Sequence, residues 1–393
     1  MPRRRLDHVD AMRPVKQAGV VSTHVLIYFV PASASVTAGA ALMLLHVARE
    51  GFFFISACML SYAYRDLRRA GLGRFYRRRL LSVAVPYLCW TVIYFLYTLP
   101  RTHYAGPAAA LEHLAWLVPI GYYQLYFLLV IMQFYLVFPL VLMLLRRTSG
   151  HHAAVIAAAA VVQVALVTAM HWHLLPSLLS GVQAQREATT YPLYLIGGSV
   201  VAFHLDAVDG WLRRHARLVI GLTVLAALAA EAVYYLAQAG VTTALGAGDD
   251  PFQPSVIPFN VGAIACLYLA GVALANPRRS AWLRAAVRSG SDNSYGIYLA
   301  QMLFISGLTW IGWGRPGGAL PWPLLCAVTV VLVYLACVAL TSLLARTPLA
   351  VPLTGRPRQP WPAWSWALPR RIARPRRPER TEHDRDTRLD PVG

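Results

Sequence analysis

The sequence predicts an all-α integral membrane protein with about ten transmembrane helices and with both termini in the cytoplasm. Three observations predict this fold class. Of the 393 residues, 57% are hydrophobic and only 13% are charged, whereas soluble globular proteins have about 25% charged residues. Uncharged stretches long enough to cross a bilayer recur along the chain. The basic residues cluster between those stretches.

A helix crosses the hydrocarbon core of a membrane with about 20 apolar residues. By that measure the sequence contains ten candidate spans. They are residues 14–31, 36–62, 80–99, 122–145, 153–172, 190–205, 217–238, 257–275, 294–312 and 321–345. The sixth is the weakest, because Gly197 and Gly198 interrupt it. A cleaved signal peptide is the alternative for the first segment, but polar residues 22–24 interrupt the apolar core that such a peptide requires.

The basic residues predict the orientation of these spans. With the N-terminus in the cytoplasm, the inner side holds the N-terminal segment, the loops 63–79, 146–152, 206–216 and 276–293, and the chain after residue 345. These regions, with the few residues at their edges, contain all but four of the 36 lysine and arginine residues. The exceptions are Arg49, Arg101, Arg186 and Arg315. This asymmetry fits the positive-inside rule and supports an even number of spans.

Two regions are predicted. Residues 1–345 form a transmembrane domain, and residues 346–393 form a Pro- and Arg-rich cytoplasmic tail that cannot bury enough apolar surface to fold. The formal charge of +19 does not indicate nucleic-acid binding, because the basic residues lie in short clusters between apolar runs. No P-loop, dinucleotide fingerprint, GxSxG motif or set of metal ligands is present. The outer loops 100–121 and 173–189 are too short for a soluble catalytic domain, so any chemistry is expected within the membrane bundle.

The first span carries an arginine and a histidine at an informative spacing, Arg13 and His24. Eleven residues make about three helical turns, so both side chains lie on nearly one face, about 16 Å apart along the axis. Arg13 could hold a phosphate-bearing carrier at the cytoplasmic rim, while His24 removes a proton from an attacking hydroxyl at or beyond the midplane. The alternative is a histidine that bonds to a neighbouring helix, with Arg13 serving only as a topology signal.

The second span carries three further polar residues, His46, Arg49 and Glu50. Arg49 and Glu50 are adjacent and are not expected to face each other on a helix, whereas His46 lies one turn before Glu50. Charged side chains are unfavourable against lipid, so this side of the span should face the bundle interior. This side of the span either contains a buried pair with a structural role or shapes the reaction pocket. The spacing of the residues does not distinguish the two interpretations.

Five stretches of the chain follow one another in a recognisable order. They are RPVKQAGVVSTH, from Arg13 to His24; REGFFFISACML, which covers Glu50 and Ser56; FYRRRLLSVAVPYL; YYQLYFLLVIMQFYLVFPL; and SDNSYGIYLAQMLF. In that order they resemble the motifs of the membrane acyltransferase-3 family, which are bacterial multi-pass O-acyltransferases. The first stretch resembles the Arg-x10-His motif of the family, and the third its Arg-rich start of the third span.

The resemblance implies transfer of an acyl group, often acetyl, from a cytoplasmic acyl-CoA-like donor to a hydroxyl. The acceptor is a cell-envelope glycan, a glycolipid or a metabolite, the protein lies in the cell membrane, and no resident cofactor is expected. His24 is then the general base and Arg13 its companion. The other motif residues are candidates for substrate binding: Arg79, Arg49, Glu50, Ser56, Gln133, Tyr135, Tyr295 and Gln301.

Four positions depart from the family pattern. Ala57 replaces a glycine, Ser82 a second arginine, Gln133 a glutamate and Gln301 a histidine. Glutamine forms hydrogen bonds but carries no proton at pH 7. Two alternatives therefore stay open, a proton-coupled transporter of a hydroxylated lipid or glycan and a catalytically inactive binding relative. The sequence has no internal repeat of the kind that transporters built from two related halves carry.

Overall fold

The computed structural model describes residues 7–31, 34–176, 181–241, 252–314 and 320–360, and within these ranges the chain forms α-helices and no β-strand. The helices are α1 (Asp7–Phe29), α2 (Ser35–Leu45), α3 (Val47–Tyr64), α4 (Leu72–Thr98), α5 (Pro107–Ile120), α6 (Tyr126–Arg147), α7 (His152–His171), α8 (Gly181–Ala184), α9 (Pro192–Val201), α10 (Leu205–Arg214), α11 (Ala216–Gln238), α12 (Ile257–Leu274), α13 (Ala281–Trp310), α14 (Trp322–Leu344) and α15 (Ala350–Thr354). The all-α prediction is confirmed.

Seven helical stretches of the described chain are long and apolar enough to cross a membrane. They are Ser35–Tyr64, Arg69–Arg101, Pro107–Arg147, His152–His171, Ala216–Gln238, Pro254–Leu274 and Trp322–Leu344. The pair α9 and α10, bent by 98°, makes an eighth if it counts as one span. The predicted count of ten and the orientation of the termini are therefore not confirmed. Helices α1 and α13 do form at the first and ninth predicted spans. Their polar residues make them less apolar than the seven stretches that qualify as membrane-spanning.

The two more polar helices, α1 and α13, pack against each other inside the bundle, and both also contact α14. A Cβ added at Gly290 would lie 2.7 Å from Cβ of Pro14, and one added at Gly314 would lie 2.9 Å from Cδ1 of Phe29. Residue numbers rise in the same direction at both contacts, so α1 and α13 run parallel. Several of their polar side chains, among them Gln17, Asn293 and Gln301, are buried in protein, which is where such groups are least costly within a membrane.

The second predicted span, residues 36–62, is divided at His46. Helix α2 ends at Leu45 and α3 begins at Val47. The imidazole Nδ1 of His46 lies 2.7 Å from the carbonyl oxygen of Leu42, to which it donates a hydrogen bond. A side chain that bonds to the backbone one turn earlier competes with regular helix geometry. The break lies four residues before Glu50.

A close contact between helices explains the glycines of the sixth span. Helix α9 packs on α3, and a Cβ at Gly198 would overlap the backbone carbonyl of Phe54. At Gly197 the added Cβ would lie 3.8 Å from the Phe54 ring, an ordinary contact. The two positions are neighbours in one helix, and only Gly198 is needed for the close approach.

This contact predicts different effects for two otherwise equal substitutions. Gly198→Ala should destabilise the protein by about 1–3 kcal/mol, because backbone must move to admit the methyl group. Gly197→Ala is the matched control and should be neutral or slightly stabilising, since alanine favours helix by up to about 1 kcal/mol over glycine. Thermal unfolding of both variants in detergent checks this, and equal melting temperatures would contradict the close packing of α9 on α3.

The packed helical unit continues past residue 345, where the sequence prediction placed the start of the tail. It extends to Gln359 and includes α15. Trp90 Nε1 donates a hydrogen bond of 3.0 Å to the carbonyl of Leu353, and the backbone N–H of Gln359 donates one of 2.8 Å to Ala345. Residues 361–393 lie outside the described residues, and the tail prediction for them stays a prediction.

Candidate functional site

Helix α1 runs from Asp7 to Phe29 through Pro14 without a break. The continuous helix places Arg13 and His24 on nearly the same face, about 16 Å apart along the axis. Arg13 forms an ion pair of 3.3 Å with Asp10, one turn earlier on the same helix. The arginine end of α1 therefore carries a compensated charge, and its guanidinium is about one-third exposed, at 30%.

His24 occupies the other end of this stripe. Its ring centroid lies 5.3 Å from that of Tyr123, and its Nδ1 is buried with no hydrogen-bond partner among the described residues. A buried polar atom without a partner is rare in folded proteins, and it is typical of sites that bind water or a ligand or that have a catalytic role. A neutral imidazole with an unoccupied ring nitrogen can accept a proton.

The segment that carries Tyr123 is a strained turn between α5 and α6. Tyr123 has a φ of +36°, in the left-handed region that costs non-glycine residues about 1–2 kcal/mol. Tyr94 holds this turn, since its hydroxyl donates to the carbonyl of Leu299 at 2.6 Å and accepts from Gln124 Nε2 at 3.0 Å. The Tyr298 hydroxyl also donates to the carbonyl of Gln124. These bonds to α4 and α13 fix the ring that contacts His24.

Sequence reasoning missed this turn. The predicted fourth span began at residue 122, whereas the described α6 begins at Tyr126. The signal that could have found the turn is Gly121, which adopts a φ of +77° directly before Tyr122 and Tyr123.

Gln301 is the second polar side chain without a partner at this depth. It is fully buried, and neither its Nε2 nor its Oε1 has a hydrogen-bond partner among the described residues. Gly290 of α13 lies beside Pro14 of α1, and the two helices run parallel. Eleven residues beyond Gly290, Gln301 therefore lies near the level of residue 25 along α1. The imidazole of His24 and the amide of Gln301, both with polar atoms that lack hydrogen-bond partners among the described residues, therefore lie at a similar depth.

Arg49 and Glu50 correct the sequence prediction, which did not expect adjacent residues to face each other. Arg49 Nε donates a hydrogen bond of 3.0 Å to Glu50 Oε1, and the side chains are 9% and 4% exposed. The long arginine side chain folds back along the helix to reach its neighbour, and its guanidinium lies 4.8 Å from the centre of the Phe252 ring. The two residues form a buried ion pair.

The surroundings of the Arg49–Glu50 pair include a group that interacts electrostatically with His24 of α1. His46 lies within electrostatic range of both Arg49 and His24. Glu50 Oε2 has no hydrogen-bond partner among the described residues, and it lines a cavity of about 10 Å³ with Gln163 and Asn260. That volume matches about one water molecule. Glu50 therefore lines a small cavity, and His46 is close enough to both Arg49 and His24 to couple their charges.

Three other predicted residues form a second cluster, on α4, α6 and α13. Arg79 Nε donates to the Tyr64 hydroxyl at 3.2 Å, and the guanidinium lies 4.8 Å from the centre of the Tyr64 ring. Arg79 also lies beside Tyr135, which in turn lies close to Tyr295. The Tyr295 hydroxyl is buried without a partner among the described residues. Arg79, Tyr135 and Tyr295 are thus brought together.

Gln133 and Ser56 are placed differently. Gln133 Nε2 donates to the carbonyl of Arg186 at 2.9 Å, and its Oε1 accepts the backbone N–H of Ala188 at 2.7 Å. Both polar ends of this amide are occupied by the chain that precedes α9. Ser56 is half-buried on α3, six residues beyond Glu50. No contact of the described residues joins either side chain to the His24 region or to the Arg79 cluster.

Comparison with known proteins gives one family. A family model described as an acyltransferase domain matches residues 8–341 of the chain. No curated protein and no solved structure matches the chain. The matched range begins in α1 before Arg13 and ends in α14, so it contains every candidate residue described above.

Proposed function

The chain belongs to the membrane acyltransferase-3 family, and on that premise we propose that it is an O-acyltransferase whose chemistry takes place inside the helical bundle. It transfers an acyl group, acetyl in the simplest case, from an acyl-CoA-like donor to a hydroxyl of a cell-envelope glycan, a glycolipid or a metabolite. The protein spans the cell membrane several times, with its N-terminus in the cytoplasm, and it uses no resident cofactor.

The donor binds from the end of the bundle where α1 begins. Arg13 and Arg79 attract its phosphate groups, because guanidinium groups pair with phosphate through several hydrogen bonds at once. Tyr135 and Tyr295 lie beside Arg79, and the Tyr295 hydroxyl is available to a ligand. The acyl end of the donor then extends along α1 toward His24.

His24 acts as the general base. The acceptor hydroxyl oxygen attacks the thioester carbon while the unoccupied nitrogen of His24 takes the hydroxyl proton. The carbon–sulfur bond then breaks, and the proton passes from His24 to the departing thiolate, so the products are an ester and a free thiol. The amide of Gln301 donates to the carbonyl oxygen on which negative charge develops.

The remaining candidates support these groups. The Arg49–Glu50 pair and His46 set the charge around His24, which matters because electrostatic effects are strong where water is excluded. Gln133 holds the chain before α9 in place through its two backbone hydrogen bonds. Ser56 is assigned to the binding surface on its position in the family motif alone.

One observation carries this proposal: the buried Nδ1 of His24 without a partner, at the depth where Gln301 is also without one. The test is a transfer assay with purified protein in lipid nanodiscs, labelled acetyl-CoA and an envelope glycan extract, followed by mass spectrometry. An O-acetylated product and one equivalent of free thiol are expected. Acetyl-CoA binding without any covalent product would instead identify an inactive relative, and proton-coupled movement of an unmodified glycan would identify a transporter.

A further inference from the structure

Lys16 is the only lysine among the 36 lysine and arginine residues of the chain. It lies on α1, one turn beyond Arg13 and eight residues before His24. Its side chain is buried, with 6% of the residue exposed. A chain that otherwise uses arginine at its basic positions therefore places its single ammonium group inside the bundle.

The Lys16 ammonium has no carboxylate partner among the described residues. Its Nζ lies 3.1 Å from the centre of the Phe52 ring, and the like-charged Arg13 lies within electrostatic range. A face-on aromatic ring attracts a cation, but it replaces only part of the hydration that burial removes. A buried cation without an anion is unfavourable, so this site is incomplete without a ligand.

Buried groups around Lys16 also lack partners. Gln17 is fully buried, and its Nε2 and Oε1 have no hydrogen-bond partner among the described residues. The Phe52 ring lies 6.1 Å from the ring of Tyr298, and Tyr295, whose hydroxyl is also without a partner, is one turn earlier on α13. Gln17 and Tyr295 thus each carry a buried hydrogen-bond donor that no described residue accepts, the first beside Lys16 in the chain and the second one helical turn from the Phe52–Tyr298 contact.

We propose that Lys16 binds an anionic oxygen group of a substrate inside the bundle. The proposal rests on the proposed function, since the anion belongs either to a phosphate of the acyl-CoA donor or to a carboxylate carried by the acyl group. A lysine suits this position because its compact ammonium fits on one ring face and turns three donors toward one anion, whereas a planar guanidinium is larger and fixed in geometry.

The test is ligand binding to Lys16→Met in nanodiscs, by calorimetry, with acetyl-CoA, acetylpantetheine and succinyl-CoA. A phosphate ligand predicts that acetyl-CoA binds at least about thirtyfold more weakly to the variant, while acetylpantetheine, which lacks the phosphates, binds as before. A carboxylate ligand predicts the same loss for succinyl-CoA only. Affinities within twofold of wild type for all three compounds, or no binding of any of them to the wild type, would overturn the proposal.

Two controls accompany this test. Arg68→Met removes an exposed positive charge near the same end of the bundle, and it should leave all three affinities unchanged. Without ligand, Lys16→Met and Lys16→Gln should unfold at or above the wild-type temperature, because they remove an unpaired buried charge. Lower unfolding temperatures for both variants would show that Lys16 has a partner within the protein, and would also overturn the proposal.

Failure of this inference differs from failure of the proposed function, because binding requires no turnover. Normal binding by the Lys16 variants, together with loss of transfer in a His24 variant, refutes the role of Lys16 alone. Weakened binding by the Lys16 variants, together with no product from the wild type, refutes the acyl transfer alone.

Discussion

His24→Gln is expected to lower the rate of acyl transfer by about a hundredfold to ten-thousandfold, the range that general bases contribute in enzymes. Glutamine keeps a polar side chain of similar size at the Tyr123 contact, but its amide cannot accept and return a proton at neutral pH. Donor binding should stay close to wild type, because the proposed function places the donor phosphates at the other end of α1. The measurements are single-turnover transfer and acetyl-CoA affinity on the same preparation.

The matched control for this prediction is His103→Gln. His103 is exposed in the segment between α4 and α5, so its replacement should leave transfer unchanged. Thermal unfolding of both variants verifies that the bundle is intact. Transfer by a folded His24→Gln variant at the wild-type rate would show that another group removes the hydroxyl proton.

Glu50→Gln is expected to destabilise the protein by about 3–5 kcal/mol, the largest effect on stability predicted here. The substitution leaves the Arg49 guanidinium, only 9% exposed, without its carboxylate. Removing both charges together, as in Arg49→Met with Glu50→Leu, should recover most of that loss, because no unpaired charge remains. Chemical denaturation in detergent measures the free energy of unfolding of each variant.

The exposed ion pair between Arg356 and Asp292 supplies the comparison for that experiment. Its groups are 3.2 Å apart, but they are 31% and 41% exposed. Asp292→Asn should therefore cost less than about 1 kcal/mol. A Glu50→Gln variant as stable as Asp292→Asn would contradict the burial of the Arg49–Glu50 pair.

Hydropathy located helical regions, since every predicted span overlaps a described helix, but it did not predict α5, and its second span is divided between α2 and α3. It could not predict the break at His46 or the bend of 98° between α9 and α10. Both depend on which hydrogen bonds form locally. Hydropathy averaged over a window of about 20 residues does not detect such local differences. The polar character of α1 and α13 becomes understandable only when their packing inside the bundle is known.

The candidate site could likewise be predicted from the sequence only in part. The spacing of Arg13 and His24 follows from helix geometry, so the shared face could be predicted from sequence. The pairing of Arg49 with Glu50 depends on the path of a long side chain, and the contact of Tyr123 with His24 depends on a strained turn, so neither follows from spacing. Lys16 could have been singled out as the only lysine of an arginine-rich chain.

A cryo-electron microscopy structure with a thioether analogue of acetyl-CoA, whose acyl carbon cannot be transferred, tests the central claim most directly. The account predicts the carbonyl carbon of the analogue beside His24, with its oxygen toward Gln301, and with space for an acceptor hydroxyl within about 3–3.5 Å of that carbon. Its phosphates should lie toward Arg13. An analogue bound elsewhere, with the His24 ring sealed among apolar side chains, would contradict the account.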